Sequence, residues 1–303
     1  MGTFLGLLYG RQITFKPKPL PDHVNLNGKM ALVTGANGGL SLEACKELVA
    51  HGLSRVILGV RSVAKGETAK NEIVALRTDI NVQIWELDQE DFESIEQFAD
   101  RAATIEHTRS KTGHEMNDQI NHLGTSLLSL LLLGPLRRTS VTANSSTRLT
   151  IVTSETHFWA KFKEINAANT LKEMDDGRTF GKGMNHYNTT NTRAGVNVII
   201  NGVNPGFCQS SLHRSDPSGS SFFNLIGWFV AQGAHCLTDA ATQHIEDGHC
   251  AYLSEQIIKR PSAFVMSERG RKAQTEIWNE TIQLLSQEAP SIDLLNSLYS
   301  SES

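Results

Sequence analysis

The stretch MALVTGANGGLSLEACKELVAHG, residues 30–52, decides the fold of this chain. Its first residues form a short apolar run that is typical of a buried strand, and a glycine-rich turn follows at once. Beyond the turn, apolar residues recur at helical spacing, namely Leu42, Cys45, Leu48 and Val49. Gly52 is typical of the position just after the last turn of a helix. The stretch therefore predicts a strand, a tight turn and an amphipathic helix in direct succession.

Strand-like and helix-like patterns alternate along the rest of the chain. A second helix is predicted from Ala69, Ile73 and Leu76, which recur at helical spacing. The further predicted strands are RVILGV (55–60), VQIWEL (82–87), RLTIVTS (148–154) and VNVIINGV (196–203). This alternation predicts an α/β fold, a doubly wound parallel sheet with helices on both faces.

The composition indicates one domain with a small-molecule partner. A chain of 303 residues with 39% hydrophobic residues can bury a full core, and we predict an N-terminal arm (1–27), a single domain (28–289) and a C-terminal tail (290–303). The net charge of -4 argues against a nucleic-acid surface. The four cysteines lack a CxxC or metal-finger spacing, which favours a reducing, intracellular setting. The eleven histidines show no metal-ligand spacing, so we predict no metal.

The N-terminal arm leaves two interpretations open. Its apolar run, residues 4–9, has no basic residue ahead of it and no cleavage site after it, which predicts no signal peptide and a cytoplasmic protein. The arm either packs on the domain or lies on a membrane surface. The apolar segment at residues 125–136 is too short to span a bilayer, which takes roughly 20 apolar residues, so we predict a buried helix and no transmembrane segment.

The glycine turn TGANGGL, residues 34–40, is a candidate anion site. It follows a strand and opens a helix, so backbone N–H groups and the helix N-terminus face one point, where a pyrophosphate would be held. A plain tight turn is the alternative, and no Gly-Lys-Ser/Thr follows that would make it a Walker A loop. The candidate residues are Gly35, Asn37, Gly39 and Leu40.

Three residues that follow the second and third strands indicate which ligand the site would bind. After the second strand, where NAD enzymes place a carboxylate against the ribose 2′-hydroxyl, this chain has Arg61 and Lys65. Cations there suit a 2′-phosphate and favour NADP (NADPH), with solvated surface charges as the alternative. Asp88 is placed to accept a hydrogen bond from the adenine amino group, to cap the helix that begins near Asp91, or both.

Seven segments, in the order in which they occur along the chain, resemble the short-chain dehydrogenase/reductase family, and in particular its fungal branch in secondary-metabolite pathways. They are TGANGGL, VRSVAKGE, ELD, INHLG, IVTSETHFWAKFKE, HYNTTN and VNPGFC. The resemblance implies a Rossmann-type domain that binds NAD or NADP and interconverts a secondary alcohol and a ketone on a hydrophobic small molecule. The resemblance leaves open whether the protein forms a homo-oligomer.

The resemblance also implies the site residues. Asn121, Ser154 and Tyr187 match the catalytic Asn, Ser and Tyr of the family, and Asn121 and Tyr187 also border the cofactor. Pro205 and Gly206 lie where the family's backbone contacts the nicotinamide carboxamide, with a plain strand-ending turn as the alternative.

The position of the family's catalytic Lys is held by Asn191. A free tyrosine has a pKa near 10, and lowering it toward neutrality takes ~4 kcal/mol of electrostatic stabilisation, much of which a lysine one helical turn away supplies. Asn191 carries no charge, so the resemblance also allows a catalytically impaired or dead relative that binds a nucleotide or a partner protein.

Two segments of the family pattern have no counterpart here. The stretch EHTRSKT (106–112) is polar where a fourth strand is expected, and NTTNTRAG (188–195) is short and polar where a long helix is expected. We predict internal deletions of one strand and one helix. Either the chain is a decayed paralogue or its gene model has lost coding sequence.

Overall fold

The computed structural model of the chain describes residues 14–103, 119–158, 170–171, 198–209, 227–244 and 247–289. The chain divides into two compact units. The first unit comprises Met1–Leu87, Thr150–Ser154 and Asn201–Lys259, and the second comprises Asp88–Leu149, Glu155–Ile200 and Arg260–Ser303. The boundaries predicted for the arm, the single domain and the tail stay predictions.

The first sheet follows the predicted strand–helix alternation. Its elements are β1 (Met30–Thr34), α1 (Gly39–Ala50), β2 (Arg55–Val60), α2 (Val63–Leu76) and β3 (Asn81–Glu86). The strands lie in the order β1-β2-β3 and both pairs are parallel. The central strand β2 is buried from its second residue onward, as its apolar sequence predicts.

The remaining strands form a second sheet, and further helices lie before, between and after them in the chain. These elements are α3 (Phe92–Ala103), a π-helix (Gln119–Gly124), α4 (Thr125–Thr142), β4 (Thr147–Val152), a short 3₁₀ helix (Glu155–Phe158), β5 (Val198–Asn204), α5 (Val230–Thr242), β6 (Tyr252–Ser254), β7 (Ile257–Lys259) and α6 (Glu268–Glu288). The strand order is β4-β5-β6-β7, with β5 and β6 parallel and β6 and β7 antiparallel. The predicted α/β class, a Rossmann-like parallel sheet with helices, is confirmed.

Helix periodicity correctly predicts the buried face of α1. Its predicted core residues, Leu42, Cys45, Leu48 and Val49, are all buried. The helix ends as predicted, because the N–H groups of Gly52 and Leu53 donate to the carbonyl oxygens of Val49 and Leu48.

The three residues that predict the second helix all lie in α2, but they are not all buried. The side chain of Leu76 is 59% exposed, whereas Ala69 and Ile73 are buried. Leu76 is the last residue of α2, where the chain leaves the helix for the loop to β3, so the periodic pattern extends one position beyond the face that packs.

Four strands have one edge without a partner strand among the described residues, namely β1 and β3 in the first sheet and β4 and β7 in the second. Among the described strands, β1 pairs only with β2, and β4 pairs only with β5. Met30 on β1 is 56% exposed and Val152 on β4 is 52% exposed. A strand that is lost from a sheet leaves such open edges on its former neighbours. The segments at 106–112 and 188–195 lie outside the described residues, so their predicted deletions stay predictions.

The segment at residues 125–136 lies in the buried helix that the sequence predicts. Leu127, Leu128, Leu130, Leu132 and Leu133 of α4 are all buried. Across the described ranges, no helix combines the length and the apolar character that a membrane crossing needs. The cysteines Cys45, Cys208, Cys236 and Cys250 are free thiols.

Candidate functional site

The glycine loop joins β1 to α1 in the first unit. Gly35 and Gly39 have φ angles of 64° and 58°, a conformation that glycine adopts without strain. The N–H of Gly35 donates to the carbonyl oxygen of Gly59 at 2.8 Å, which ties the start of the loop to β2. Asn37 is exposed and Ala36 is fully buried, so the loop presents its tip to solvent.

Helix α1 begins without a capping side chain. Its N-cap residue, Gly38, makes no side-chain cap hydrogen bond, and the first turn holds no acidic residue. In contrast, Ser62 caps α2 and Ser267 caps α6. The first N–H groups of a helix need acceptors, and an external anion is a suitable one. The uncapped N-terminus of α1 therefore suits a phosphate.

Arg61 lies at the same sheet edge as the glycine loop. Thr34 pairs with Gly59 in the parallel β1–β2 ladder, so both strands end at one level. Arg61 follows β2 directly and is exposed, and Lys65 is exposed in the first turn of α2. The two predicted cations thus lie beyond the carboxyl end of β2, where a ligand on the glycine loop would extend.

The loop after β5 is held close to Trp228. Asn204 accepts a hydrogen bond from the N–H of Gly206 at 3.2 Å, and a backbone bridge joins Cys208 to Trp228. Gly206 has a φ of 75°. A Cβ at this position would come within 2.4 Å of the Trp228 ring, so only glycine fits there. Pro205, the other predicted residue, is buried.

Helix α5 brings this loop against the first turn of α1. A Cβ on Gly233 would lie 2.3 Å from Cys208 Sγ and 2.8 Å from a methyl carbon of Leu40. Burial raises the pKa of the Cys208 thiol to about 12, so the thiol is protonated and serves as a packing group rather than a nucleophile. The glycine loop and the Pro205–Gly206 loop are therefore supported by one shared contact.

Ser154 lies just after β4, beside the loop that follows β5. The N–H of Thr153 donates to the carbonyl oxygen of Val203 at 2.7 Å. Ser154 and Asn204 are the next residues along the two hydrogen-bonded chain segments. Ser154 is half-buried. Tyr187 and Asn191 lie outside the described residues.

Asp88 belongs to the second unit, and its predicted capping role is wrong. The Asp88 carboxylate accepts a hydrogen bond from the N–H of Glu90 at 3.0 Å, which closes a local turn. The carboxylate that caps α3 is that of Asp91, which accepts from the N–H of Glu93 at 3.1 Å. The adenine role of Asp88 stays a prediction.

Asn121 lies exposed on the π-helix of the second unit. A Cβ on Gly124 would come within 2.8 Å of the carbonyl oxygen of Gln89, so this turn packs directly on the chain after β3. The Thr125 hydroxyl donates to the carbonyl oxygen of Ile120 at 2.9 Å. π-Helical turns are frequent at functional sites, and this one carries the predicted catalytic Asn.

The structure thus groups the predicted residues by unit. The first unit holds Gly35, Asn37, Gly39, Leu40, Arg61, Lys65, Ser154, Pro205 and Gly206, and the second holds Asp88 and Asn121. Sequence reasoning missed Trp228 and Gly233, which support the Pro205–Gly206 loop. No local signal could have found them, because each lies more than twenty positions from the loop it contacts. Among the described residues, no group of three or more His, Cys, Asp or Glu side chains could hold a metal ion.

Part of the chain matches a known protein family. Residues 29–107 match the family model of short chain dehydrogenases. The chain is 49% identical to the short chain dehydrogenase sol3 of Alternaria solani over 288 residues, which cover 86% of this chain and 100% of that protein. This chain belongs to the short-chain dehydrogenase/reductase family. It is therefore an oxidoreductase, and sol3 and the relative described below both come from fungi.

Two further comparisons bear on the fold and on chain length. The short-chain dehydrogenase/reductase dmxR8 of Cryptosporiopsis sp. is 31% identical over 326 residues, with 95% of this chain and 99% of that protein covered. Since 326 exceeds the 303 residues of this chain, that relative has residues without a counterpart here. The crystal structure of a short chain dehydrogenase from Shigella flexneri shares the fold, with a TM-score of 0.52, 18% identity, and coverage of 83% of this chain and 98% of that one.

Proposed function

We propose that this oxidoreductase uses NADP(H) to interconvert a secondary alcohol and a ketone on a hydrophobic small molecule of fungal secondary metabolism. The uncapped N-terminus of α1 carries the proposal. Its free helix end lies beside the carboxyl end of β2, where Arg61 and Lys65 stand in place of a carboxylate. A cytoplasmic location and a homo-oligomer remain part of the proposal.

The residues present fit a dinucleotide. The glycine loop lacks side chains at Gly35 and Gly39, so its backbone N–H groups can approach a pyrophosphate closely. Arg61 and Lys65 would hold a 2′-phosphate, and Asp88 would accept from the adenine amino group. Pro205 and Gly206 would line the nicotinamide side, where Trp228 keeps the backbone in place.

When bound, the dinucleotide would supply or accept the hydride. The Ser154 hydroxyl donates a hydrogen bond to the substrate oxygen, and the Tyr187 hydroxyl gives a proton to that oxygen during reduction or takes it during oxidation. The family resemblance assigns Asn121, which is exposed on the π-helix, to the same catalytic set. These three roles rest on the family resemblance of the motifs that carry the residues.

A catalytically impaired relative that binds a nucleotide or a partner protein is the second candidate. Asn191 favours it, because an uncharged amide does not lower the pKa of Tyr187. The open edges of β1 and β4, and alignments that are longer than this chain, support a loss of family segments. In this candidate the glycine loop still binds the dinucleotide, whereas turnover is slow or absent.

One experiment separates the two candidates. The purified chain and its Tyr187→Phe variant are titrated with NADPH by fluorescence and then assayed for NADPH consumption with a panel of hydrophobic ketones. Binding with turnover that Tyr187→Phe abolishes supports the reductase. Binding without turnover supports the impaired relative, and the absence of NADPH and NADH binding contradicts both.

A further inference from the structure

Residues 15–21, FKPKPLP, form a segment that we call the strap. Prolines at positions 17, 19 and 21 have no N–H group, so the backbone from Pro17 to Pro21 has hydrogen-bond donors only at Lys18 and Leu20. Both donors are used. The N–H of Lys18 donates to Gln256 Oε1 and that of Leu20 to Glu47 Oε1, each at 2.8 Å. Both backbone N–H groups of this stretch are therefore bonded to side chains of the first unit.

Glu47 joins the strap to two helices. Its side chain is on α1, is only 9% exposed, and also accepts from His235 Nδ1 at 2.9 Å and from the Thr238 hydroxyl at 2.6 Å, both on α5. Burial alone would raise the pKa of Glu47, but the hydrogen bonds from His235, Thr238 and Leu20 outweigh it and hold that pKa below its ordinary value. One buried carboxylate thus ties the strap, α1 and α5 together.

Gln256 holds the strap from the turn between β6 and β7. Its side-chain amide also donates to the carbonyl oxygen of Lys18 at 2.8 Å and to that of His235 at 3.3 Å. Glu255 and Gln256 have φ angles of 57° and 56°, a left-handed conformation in which hairpins normally use Asn or Gly. Lys259 pairs with Glu255 across this turn. Strained residues persist where surrounding contacts fix them. Here the strained residue, Gln256, is the one that binds the strap through two hydrogen bonds to Lys18.

The strap packs into two apolar clusters of the first unit. Leu20 is 3% exposed within the core cluster beneath β1, β2 and α1. Phe15 packs on the other cluster, which contains Cys208 and Trp228, with its ring 5.9 Å from the Trp228 ring. Trp228 in turn lies against Gly206. The strap therefore contacts the supports of the glycine loop at one end and of the Pro205–Gly206 loop at the other.

We infer that the strap is a positioning element of the dinucleotide site, which sets the glycine loop through Glu47 and α1 and the Pro205–Gly206 loop through Trp228. The inference rests on the proposed dinucleotide binding for its effect on affinity, whereas its effect on the two loops needs no ligand. The strap acts by holding the surfaces on which both loops rest.

The test uses two strap variants of the full chain, each with a matched control. Phe15→Ala removes the ring contact with Trp228, and its control is Lys16→Ala at an exposed neighbour. Lys18→Pro removes the N–H that Gln256 accepts, and its control is Lys18→Ala, which keeps that N–H at an exposed position. The readouts are the Kd for NADPH, the rates of amide exchange at residues 35–42 and 206–209, and the thermal midpoint.

We expect both strap variants to weaken NADPH binding by about two- to tenfold, the range for loss of one hydrogen bond or a small packing contact. Amide exchange should become faster in both loops, and the two controls should match the parent chain. If the parent binds no dinucleotide, the proposed function fails and the exchange rates alone decide the role of the strap. Faster exchange confined to residues 14–27, with both loops and the Kd unchanged, would overturn the inference.

Discussion

His122 on the π-helix donates a hydrogen bond to Thr281 on α6, with Nε2 and Oγ1 2.8 Å apart. The direction follows from Thr281, because its single hydroxyl proton is already donated to the carbonyl oxygen of Ile277 at 2.7 Å. His122 Nε2 must therefore carry the proton. Both side chains are buried, so this bond anchors the turn that presents Asn121.

Removing the acceptor should destabilise this anchor. Thr281→Val leaves the buried Nε2–H of His122 without its partner, and we expect the free energy of unfolding to fall by about 1–3 kcal/mol. Chemical denaturation measures the change. Thr275→Val is the matched control, since Thr275 makes the same bond to a preceding carbonyl of α6 but is exposed. Equal effects of the two substitutions would contradict the role assigned to His122.

Gly206→Ala should destabilise the loop that follows β5. Gly28 and Gly206 both have a φ of 75°, but a Cβ on Gly28 meets nothing within 4 Å, whereas one on Gly206 meets the Trp228 ring at 2.4 Å. Gly28→Ala therefore measures the backbone strain alone, about 1–2 kcal/mol. We expect Gly206→Ala to cost at least about 1 kcal/mol more in the free energy of unfolding, because the ring must shift.

A second substitution isolates the steric part of that cost. Trp228→Leu in the Gly206→Ala background should recover part of the excess over Gly28→Ala, since the clashing ring is gone. If Gly206→Ala and Gly28→Ala destabilise the protein equally in denaturant melts, the close approach of Trp228 is wrong.

Stability should depend on the ionisation of Glu47. Because hydrogen bonds hold its folded-state pKa below the ordinary value of 4.5, the stabilisation is fully present above that value and is lost as the pH falls through the lower folded-state pKa. The difference in unfolding free energy between the parent and Glu47→Gln should therefore shrink as the pH falls below about 4.5. Urea melts across the acidic range measure it, and Glu67→Gln on the surface of α2 is the control for removing one carboxylate. A difference that stays constant with pH would contradict the buried carboxylate.

Arg61 should decide the choice of cofactor. We expect the chain to bind NADPH more tightly than NADH, and Arg61→Ala to reduce that preference by about ten- to a hundredfold, the value of a charge-assisted hydrogen bond. Fluorescence titration of both nucleotides tests this. Arg55→Ala is the control, because Arg55 is exposed at the opposite end of the same strand. Equal affinity of the parent for the two nucleotides would refute the prediction.

Turnover should be slow at neutral pH and rise toward alkaline pH. Without a lysine at position 191, much of the ~4 kcal/mol that would bring the pKa of Tyr187 toward neutrality is missing, and the full amount corresponds to about a thousandfold in rate. Asn191→Lys alone should rescue little, because residues 188–195 are too short and polar for the helix that would set a lysine beside Tyr187. A chain with the helical segment and the lysine restored should recover more.

The control for that experiment is Tyr187→Phe in the parent chain. NADPH consumption is measured with a panel of hydrophobic ketones across pH for each variant. Fast turnover by the unmodified chain at neutral pH, lost in Tyr187→Phe, would show that another group replaces the lysine. Sequencing the transcript is the complementary test, since recovered segments with a strand and a lysine would assign the deletions to the gene model.

The sequence by itself determined the elements whose patterns are local. The order β1, α1, β2, α2, β3 and the buried face of α1 follow from strand and helix periodicity, which backbone geometry imposes on nearby residues. The glycine loop was predictable for the same reason, because the strand, the turn and the helix are contiguous. Even here the pattern did not give the exposure of Leu76 or the identity of the residue that caps α3, which is Asp91.

Only the tertiary structure decided which distant residues support the site. Trp228 against Gly206, Gly233 between Cys208 and Leu40, and Glu47 bonded to Leu20 and His235 join positions that no periodic pattern relates. Such contacts depend on how helices and strands pack, and close packing is a property of the assembled core rather than of any one segment. The strap is the clearest case. Its prolines are visible in the sequence, but the Glu47 and Gln256 side chains that accept its two N–H groups are brought there by the fold alone.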